Sequence, residues 1–288
     1  MTLAFLEGAL RQALREPALR VMATQPVGGG CIHTAARLTT TAGEFFAKWN
    51  ADCPSDLFPS EAAGLEALRS AGSELVVPRV IAASGPEAGT PGFLVLEYLP
   101  PGAGGARDGE KLGRGLATLH RRSAERFGFE RATYCGATRQ DNAPSASWAE
   151  FYAQQRLRPL LDALRLAALE RRLFERLIER LPKILAVSSP PSLIHGDLWS
   201  GNVLQTTRGP GLVDPACAFT DREMEFGITT LFGGLTARAW AAYEEAWPLP
   251  PGWRERNPLY QAYHLLNHAL LFGGGYLAQA GAAARRYV

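Results

Sequence analysis

The sequence of 288 residues holds four cysteines, Cys31, Cys53, Cys135 and Cys217, and no two of them form a CxxC pair. That scatter argues against a structural zinc site or a disulfide framework and fits reduced thiols in a cytoplasm. A charge excess is also missing. With 30 Lys+Arg against 28 Asp+Glu the formal net charge is +2, so there is no electrostatic footprint for a nucleic-acid partner. Long apolar runs are absent too. The opening "MTLAFLEGALRQALREP" interleaves charges where a signal peptide needs a continuous apolar core, and "HALLFGGGYLAQAGAAA" is interrupted by three consecutive glycines. These absences predict a cytoplasmic protein with no membrane partner.

What is present reads as two unequal parts. Leu3, Leu6, Leu10 and Leu14 recur at helical spacing until Pro17. "VMATQPV", "TAARLTTT" and "FFAKWN" then read as three strands, with the glycine-rich "GGGCIH" in the first connection. A helix follows, with Ser60 as its expected cap, Glu61 in its first turn and Leu65 and Leu68 on its buried side, closing at Gly72. "FLVLEYL" is a buried strand that runs into "PPGAGGARDG", whose composition suits a connector between lobes. The expected division is therefore residues 1–100 and residues 101–288. Beyond the connector the pattern is helical. Leu112, Leu116 and Leu119 form one stripe, and two leucine series lie between Trp148 and Leu181, with intervening arginines that read as a solvated face.

The densest chemistry is in "LIHGDLWSGN", where His195, Asp197 and Asn202 follow a strand-like lead-in, and Asp214 ends the next strand in "GLVDPA". Phosphoryl transfer from ATP needs a carboxylate that orients the attacking hydroxyl and oxygen ligands that hold magnesium against the phosphates. Asp197 suits the first role, Asn202 and Asp214 the second. The intervening "NVLQTTRGPGLVD" reads as a hairpin that returns Asn202 and Asp214 to one end.

This stretch resembles the catalytic loop of protein kinases and, more closely, of aminoglycoside phosphotransferases. "HGDLWSGNV" with "DPA", together with "GGGCI", "EAAGLEALRSAG" and "LYQAYHLLNHALLFGGGY", is similar to the fructosamine kinase (ketosamine 3-kinase) family across nearly the whole chain. The resemblance implies an α+β, bilobal protein kinase-like fold: an N-terminal antiparallel sheet lobe and a mainly helical C-terminal lobe, with ATP and Mg2+ between them. Gly28, Gly29, Gly30 and Cys31 would then let backbone approach the phosphates. Lys48 would contact the α- and β-phosphates with Glu61 as its ion-pair partner. Backbone groups of Glu97, Tyr98 and Leu99 would recognise adenine. His195 would brace the loop, Glu225 would cap it, and Thr220 and Asp221 would cap the helix that follows.

The resemblance further implies phosphorylation of a sugar hydroxyl, O3 of a free or protein-bound ketosamine such as fructosamine or ribulosamine, in deglycation repair. Trp199 and His268 would line the acceptor pocket, although "NHALLFGG" is less polar than the family's pattern. Other acceptors, an aminoglycoside, choline or another small alcohol, remain compatible with the fold, as does a catalytically silent nucleotide-binding module. Cys31, directly after the glycines, has the setting of an oxidisable thiol, so the expectation is a monomer or a redox-sensitive homodimer.

Overall fold

The computed structural model describes residues 3–28, 33–105 and 107–288. Helix α1 (Ala4–Leu14) precedes strands β1 (Val21–Pro26), β2 (Thr34–Thr40) and β3 (Gly43–Asn50), helix α2 (Leu57–Ser70), and strands β4 (Val80–Ser84) and β5 (Gly92–Glu97). The five strands form one antiparallel sheet in the order β1-β2-β3-β5-β4. Successive side chains of a strand face opposite sides, and both sides of this sheet are covered. Phe45, Ala47, Phe93 and Val95 pack with Leu6 and Leu10 of α1, whereas Leu94 and Leu96 pack with Phe58, Leu65 and Leu68 of α2. The same alternation puts Lys48 on the α2 side.

Helix α2 begins earlier than its sequence suggests. Leu57 and Phe58 are buried and draw the helix start back to Asp56, so Ser60 lies one turn inside, 1% exposed, and caps nothing. Pro59 is compatible with this because a first-turn residue has no intrahelical use for an N–H.

The second part contains α3 (Asp108–His120), β6 (Thr133–Cys135), β7 (Thr138–Gln140), α4 (Trp148–Phe151), α5 (Arg158–Ala163), α6 (Ala168–Ile184), β8 (Ser192–Ile194), β9 (Val203–Thr206), β10 (Gly209–Leu212), β11 (Ala218–Thr220), α7 (Glu225–Phe232), α8 (Ala237–Ala246), α9 (Trp253–Phe272) and α10 (Tyr276–Ala284). Its aromatic-rich core gathers Trp148, Tyr152, Phe174 and Tyr260. The leucine-rich segment is not continuous helix: a π-helical turn, Tyr152–Leu157, separates α4 from α5. It also corrects the reading of the arginines as a uniformly solvated face. Arg156 in that turn is 2% exposed, and it donates to Asp141 O at 2.9 Å and Asn142 Oδ1 at 2.6 Å. Asp221 caps a short 3-10 turn ahead of α7, while Thr220 ends β11.

The segment leaving β5 is tied to the β9–β10 hairpin. Thr207 N donates to Pro100 O at 3.1 Å and Gly102 N to Gln205 O at 2.9 Å. Gly102 is required by this approach, because a Cβ there would lie 2.4 Å from Thr206 O. Gly102→Ala should therefore force backbone apart and cost about 1–3 kcal/mol of stability, readable as a lower midpoint in chemical denaturation. A wild-type midpoint would mean that the crossing is not tightly held.

Candidate active site

The loop after β8 is shaped by one glycine and one buried acid. Gly196 has φ +81°, and a Cβ there would meet Ala216 O at 2.2 Å. His195 N and Gly196 N both donate to the Glu225 carboxylate, at 2.6 and 2.9 Å. Burial alone would raise Glu225, but the hydrogen bond and charge of His120, whose Nε2 lies 3.4 Å away, bring it below the usual glutamate range. His195 Nδ1 accepts from Asp197 N at 3.3 Å, which leaves Nε2 to donate to Val213 O at 2.8 Å. Both ring nitrogens are thus committed to holding backbone.

Asp197 stands at the centre of this loop. Asn202 Nδ2 donates to its backbone O at 2.9 Å and to its Oδ2 at 3.1 Å, and Cys135 Sγ approaches Oδ1 at 3.7 Å. Burial first, and the charge of Asp214 second, push the Asp197 carboxyl up to about 8. A carboxyl with that affinity can take a proton near neutral pH.

Across the cleft, Lys48 Nζ bridges Glu61 Oε2 at 2.6 Å and Asp214 Oδ1 at 2.9 Å. Burial works against the ammonium, but the charges of Asp214 and Glu61 outweigh it and raise Lys48 above its ordinary value. Burial also pushes Glu61 up to about 7 against the pull of Lys48. It would do the same to Asp214, yet Lys48 prevails there and lowers it. Asp214 has φ 55°, a left-handed conformation uncommon outside glycine, and leaves 52% of its side chain exposed. Asn202 has committed its amide nitrogen to Asp197, so the atom it can offer a cation is its side-chain oxygen.

The structure brings Lys48, Glu61 and Asp214 into one ion-pair cluster and Asp197 and Asn202 into one hydrogen-bonded pair. Gly28 is exposed, with no atom within 4 Å of where a Cβ would stand. Gly29, Gly30 and Cys31 lie outside the described residues. Glu97 donates its amide to Arg79 O at 2.9 Å and pairs with Arg208 at 2.9 Å, Arg37 lies over the Tyr98 ring, and Leu99 is buried. Trp199 is 37% exposed, with its indole folded back over Gly201. His268 is stacked on Phe232, and Phe232 O accepts a hydrogen bond from Ser200, next to Trp199. Sequence reasoning passed over three neighbours of the site: His33, whose ring lies against Phe58 and whose pKa is lowered to about 4 by burial and by Lys48, and Cys135 and His264. His33 stood within the quoted "GGGCIH" and His264 within the quoted "LYQAYHLLNHALLFGGGY", whereas Cys135 carries no local signal.

The family model for fructosamine kinases matches residues 8–288. A probable ketoamine kinase of Synechocystis sp. is 38% identical over 264 residues, covering 91% of this chain and 88% of that protein. The chloroplastic protein-ribulosamine 3-kinase of Oryza sativa subsp. indica is 36% identical over 270 residues, covering 91% and 78%. A crystal structure of a Thermobifida fusca protein assigned to the fructosamine-3-kinases matches with a TM-score of 0.85 and 32% identity, covering 96% and 97%. Aminoglycoside phosphotransferase APH(4)-Ia matches with a TM-score of 0.61 and 13% identity, a likeness of fold alone.

The Asp197 environment has a consequence for stability. Its carboxyl moves from an ordinary 3.8 to about 8 on folding, so the folded state holds the proton more tightly than the unfolded state. Stability from this group is present at low pH and is lost as pH rises through the folded value. Asp197→Asn cannot ionise, so its stability relative to wild type should grow from about pH 4 to about pH 8 in denaturation midpoints. A flat difference would mean that the carboxyl is already ionised in the free protein.

Proposed function

The chain belongs to the fructosamine kinase family, and from that membership we propose that it transfers the γ-phosphoryl group of ATP to O3 of a ketosamine, with fructosamines and ribulosamines as the acceptor class. The protein is a phosphotransferase with an alcohol acceptor. The observation that supports phosphoryl transfer to a hydroxyl is the Asp197 carboxyl, enclosed enough to be raised to about 8 and held at Oδ2 by Asn202.

Asp197 orients the acceptor hydroxyl and receives its proton as the new O–P bond forms and the bond from the γ-phosphorus to the leaving oxygen of ADP breaks. Lys48, held by Glu61 and Asp214, is the cation for the α- and β-phosphates. Asn202 and Asp214 fit magnesium through their free oxygens; when bound, it screens the negative charge of the phosphates. Backbone of residues 97–99 faces adenine, and Gly28 borders the phosphates. Trp199 supplies a flat apolar face for the sugar chain, and His268 stands behind it through Phe232.

A phosphate on C3, beside the C2 carbonyl, makes a good leaving group from a poor one. The product then enolises across C1 and C2 and expels inorganic phosphate from C3, and water hydrolyses the resulting C1 imine to the free amine and a 3-deoxy dicarbonyl sugar, which constitutes deglycation of a protein or small amine. Relatives named for ketoamines and ribulosamines favour this acceptor over an aminoglycoside, for which the likeness extends to fold only.

Magnesium-dependent ATP consumption measured against a panel of fructosamines, ribulosamines and aminoglycosides tests the reading, and preferential use of an aminoglycoside overturns it. Asp197→Asn should lower turnover by about 10²-fold or more while leaving the ATP KM nearly unchanged. In wild type the acidic limb of kcat/KM should lie near neutral pH, because the free enzyme must lose the Asp197 proton; a limb near 4 would remove Asp197 from the role. Trp199→Ala should raise the acceptor KM and spare that for ATP, whereas a loss of stability at constant acceptor KM would assign the indole to packing.

A further inference from the structure

Three side chains from separate elements meet beside the base. Cys135 ends β6, Asp197 lies in the loop after β8 and His264 is on α9, and one ligand atom of each lies within 4.8 Å of the other two. Cys135 Sγ and Asp197 Oδ1 are 3.7 Å apart, while Asn202 occupies the opposite carboxylate oxygen, Oδ2. His264 is 1% exposed, and neither ring nitrogen has a hydrogen-bond partner among the described residues. Its near neighbour Asn267 donates to Cys135 O at 3.2 Å and so fixes the end of β6 against α9. A buried imidazole with both nitrogens unmet has given up hydration without replacement, an exception that calls for an explanation. The phosphoryl-transfer roles assigned above use neither Cys135 nor His264.

We propose that Cys135, Asp197 and His264 form a zinc site, and that zinc bound there blocks phosphoryl transfer by occupying the carboxylate that must receive the acceptor's proton. One sulfur, one nitrogen and one oxygen donor make a three-ligand set with a fourth position open, which suits zinc. Magnesium, which requires oxygen ligands, is not drawn to a thiolate and an imidazole. Tetrahedral bonds of about 2.0–2.3 Å require the three atoms, now within 4.8 Å of one another, to draw together by roughly an ångström. On ligation the S–H bond is exchanged for an S–Zn bond and the thiol proton passes to solvent, as does any proton on Asp197. The site shares no ligand with the Asn202 and Asp214 oxygens assigned to magnesium, so zinc and magnesium do not compete for the same atoms.

The test uses the full-length protein titrated with cobalt(II) chloride, a spectroscopic stand-in for zinc, without nucleotide or sugar. Wild type should develop an intense near-ultraviolet sulfur-to-cobalt band that saturates at one equivalent and is displaced by zinc chloride. Cys135→Ser should lose the band, and His264→Gln should weaken zinc binding by about tenfold or more. Zinc should slow wild type in excess magnesium, reversibly with chelator, and leave Cys135→Ser with a larger share of its own uninhibited rate, using whichever acceptor supports turnover. The proposal is overturned if wild type shows no sulfur-to-cobalt band, if Cys135→Ser keeps the wild-type zinc affinity, or if zinc binds without slowing the enzyme. The wild-type spectrum decides even where a variant folds poorly. Because binding is read without ATP or ketosamine, its failure is distinct from failure of the acceptor assignment.

Discussion

The buried carboxylate of Glu225 is the constraint around which the catalytic loop is arranged. An anion without solvent is costly unless its oxygens are met by donors, and here two successive backbone amides and His120 meet them. Those amides belong to His195 and Gly196, so satisfying the anion fixes the path of the chain immediately before Asp197. His195 then ties the loop to Val213, next to Asp214. The positions of the proposed base and the expected cation ligand follow from one electrostatic requirement in the core of the helical part.

The ion cluster on the other side obeys a similar logic. Lys48 faces α2 because of strand alternation, and α2 is held against the sheet by Phe58, Leu65 and Leu68. Glu61 has one oxygen on Lys48 and another without a partner, and burial works against its charge. Asp214, by contrast, leaves about half of its side chain exposed. The lysine is therefore anchored on its buried side and adaptable on its open side.

Much of this was legible in the sequence because the signals are local. Strand alternation, the leucine stripes and the spacing of Asp197, Asn202 and Asp214 each fit within a short window, and the sheet and the hairpin formed where those patterns lie. Where the reading failed, distant packing had the deciding role. Leu57 and Phe58 moved the start of α2 past the apparent cap at Ser60, and burial of Arg156 accompanies a π-helical turn that leucine periodicity cannot report. Cys135 and Asp197 are 62 residues apart in sequence, and nothing in "TYCG" announces chemistry. The division at residue 100 and the residue roles at the nucleotide face stand as inferences from motif order.

The hairpin of β9 and β10 has an unusual double attachment. One end carries Asn202 and leads into Asp214, while its turn accepts the chain crossing from the sheet through Pro100 and Gly102. Any rocking of one lobe against the other must shear this small ladder, and the shear reaches the two oxygens expected to hold the cation. If Asn202 and Asp214 hold the cation as proposed, the aperture of the cleft and the grip on the metal are a single mechanical coordinate. On that reading, closing the cleft would itself tighten the hold on the phosphates.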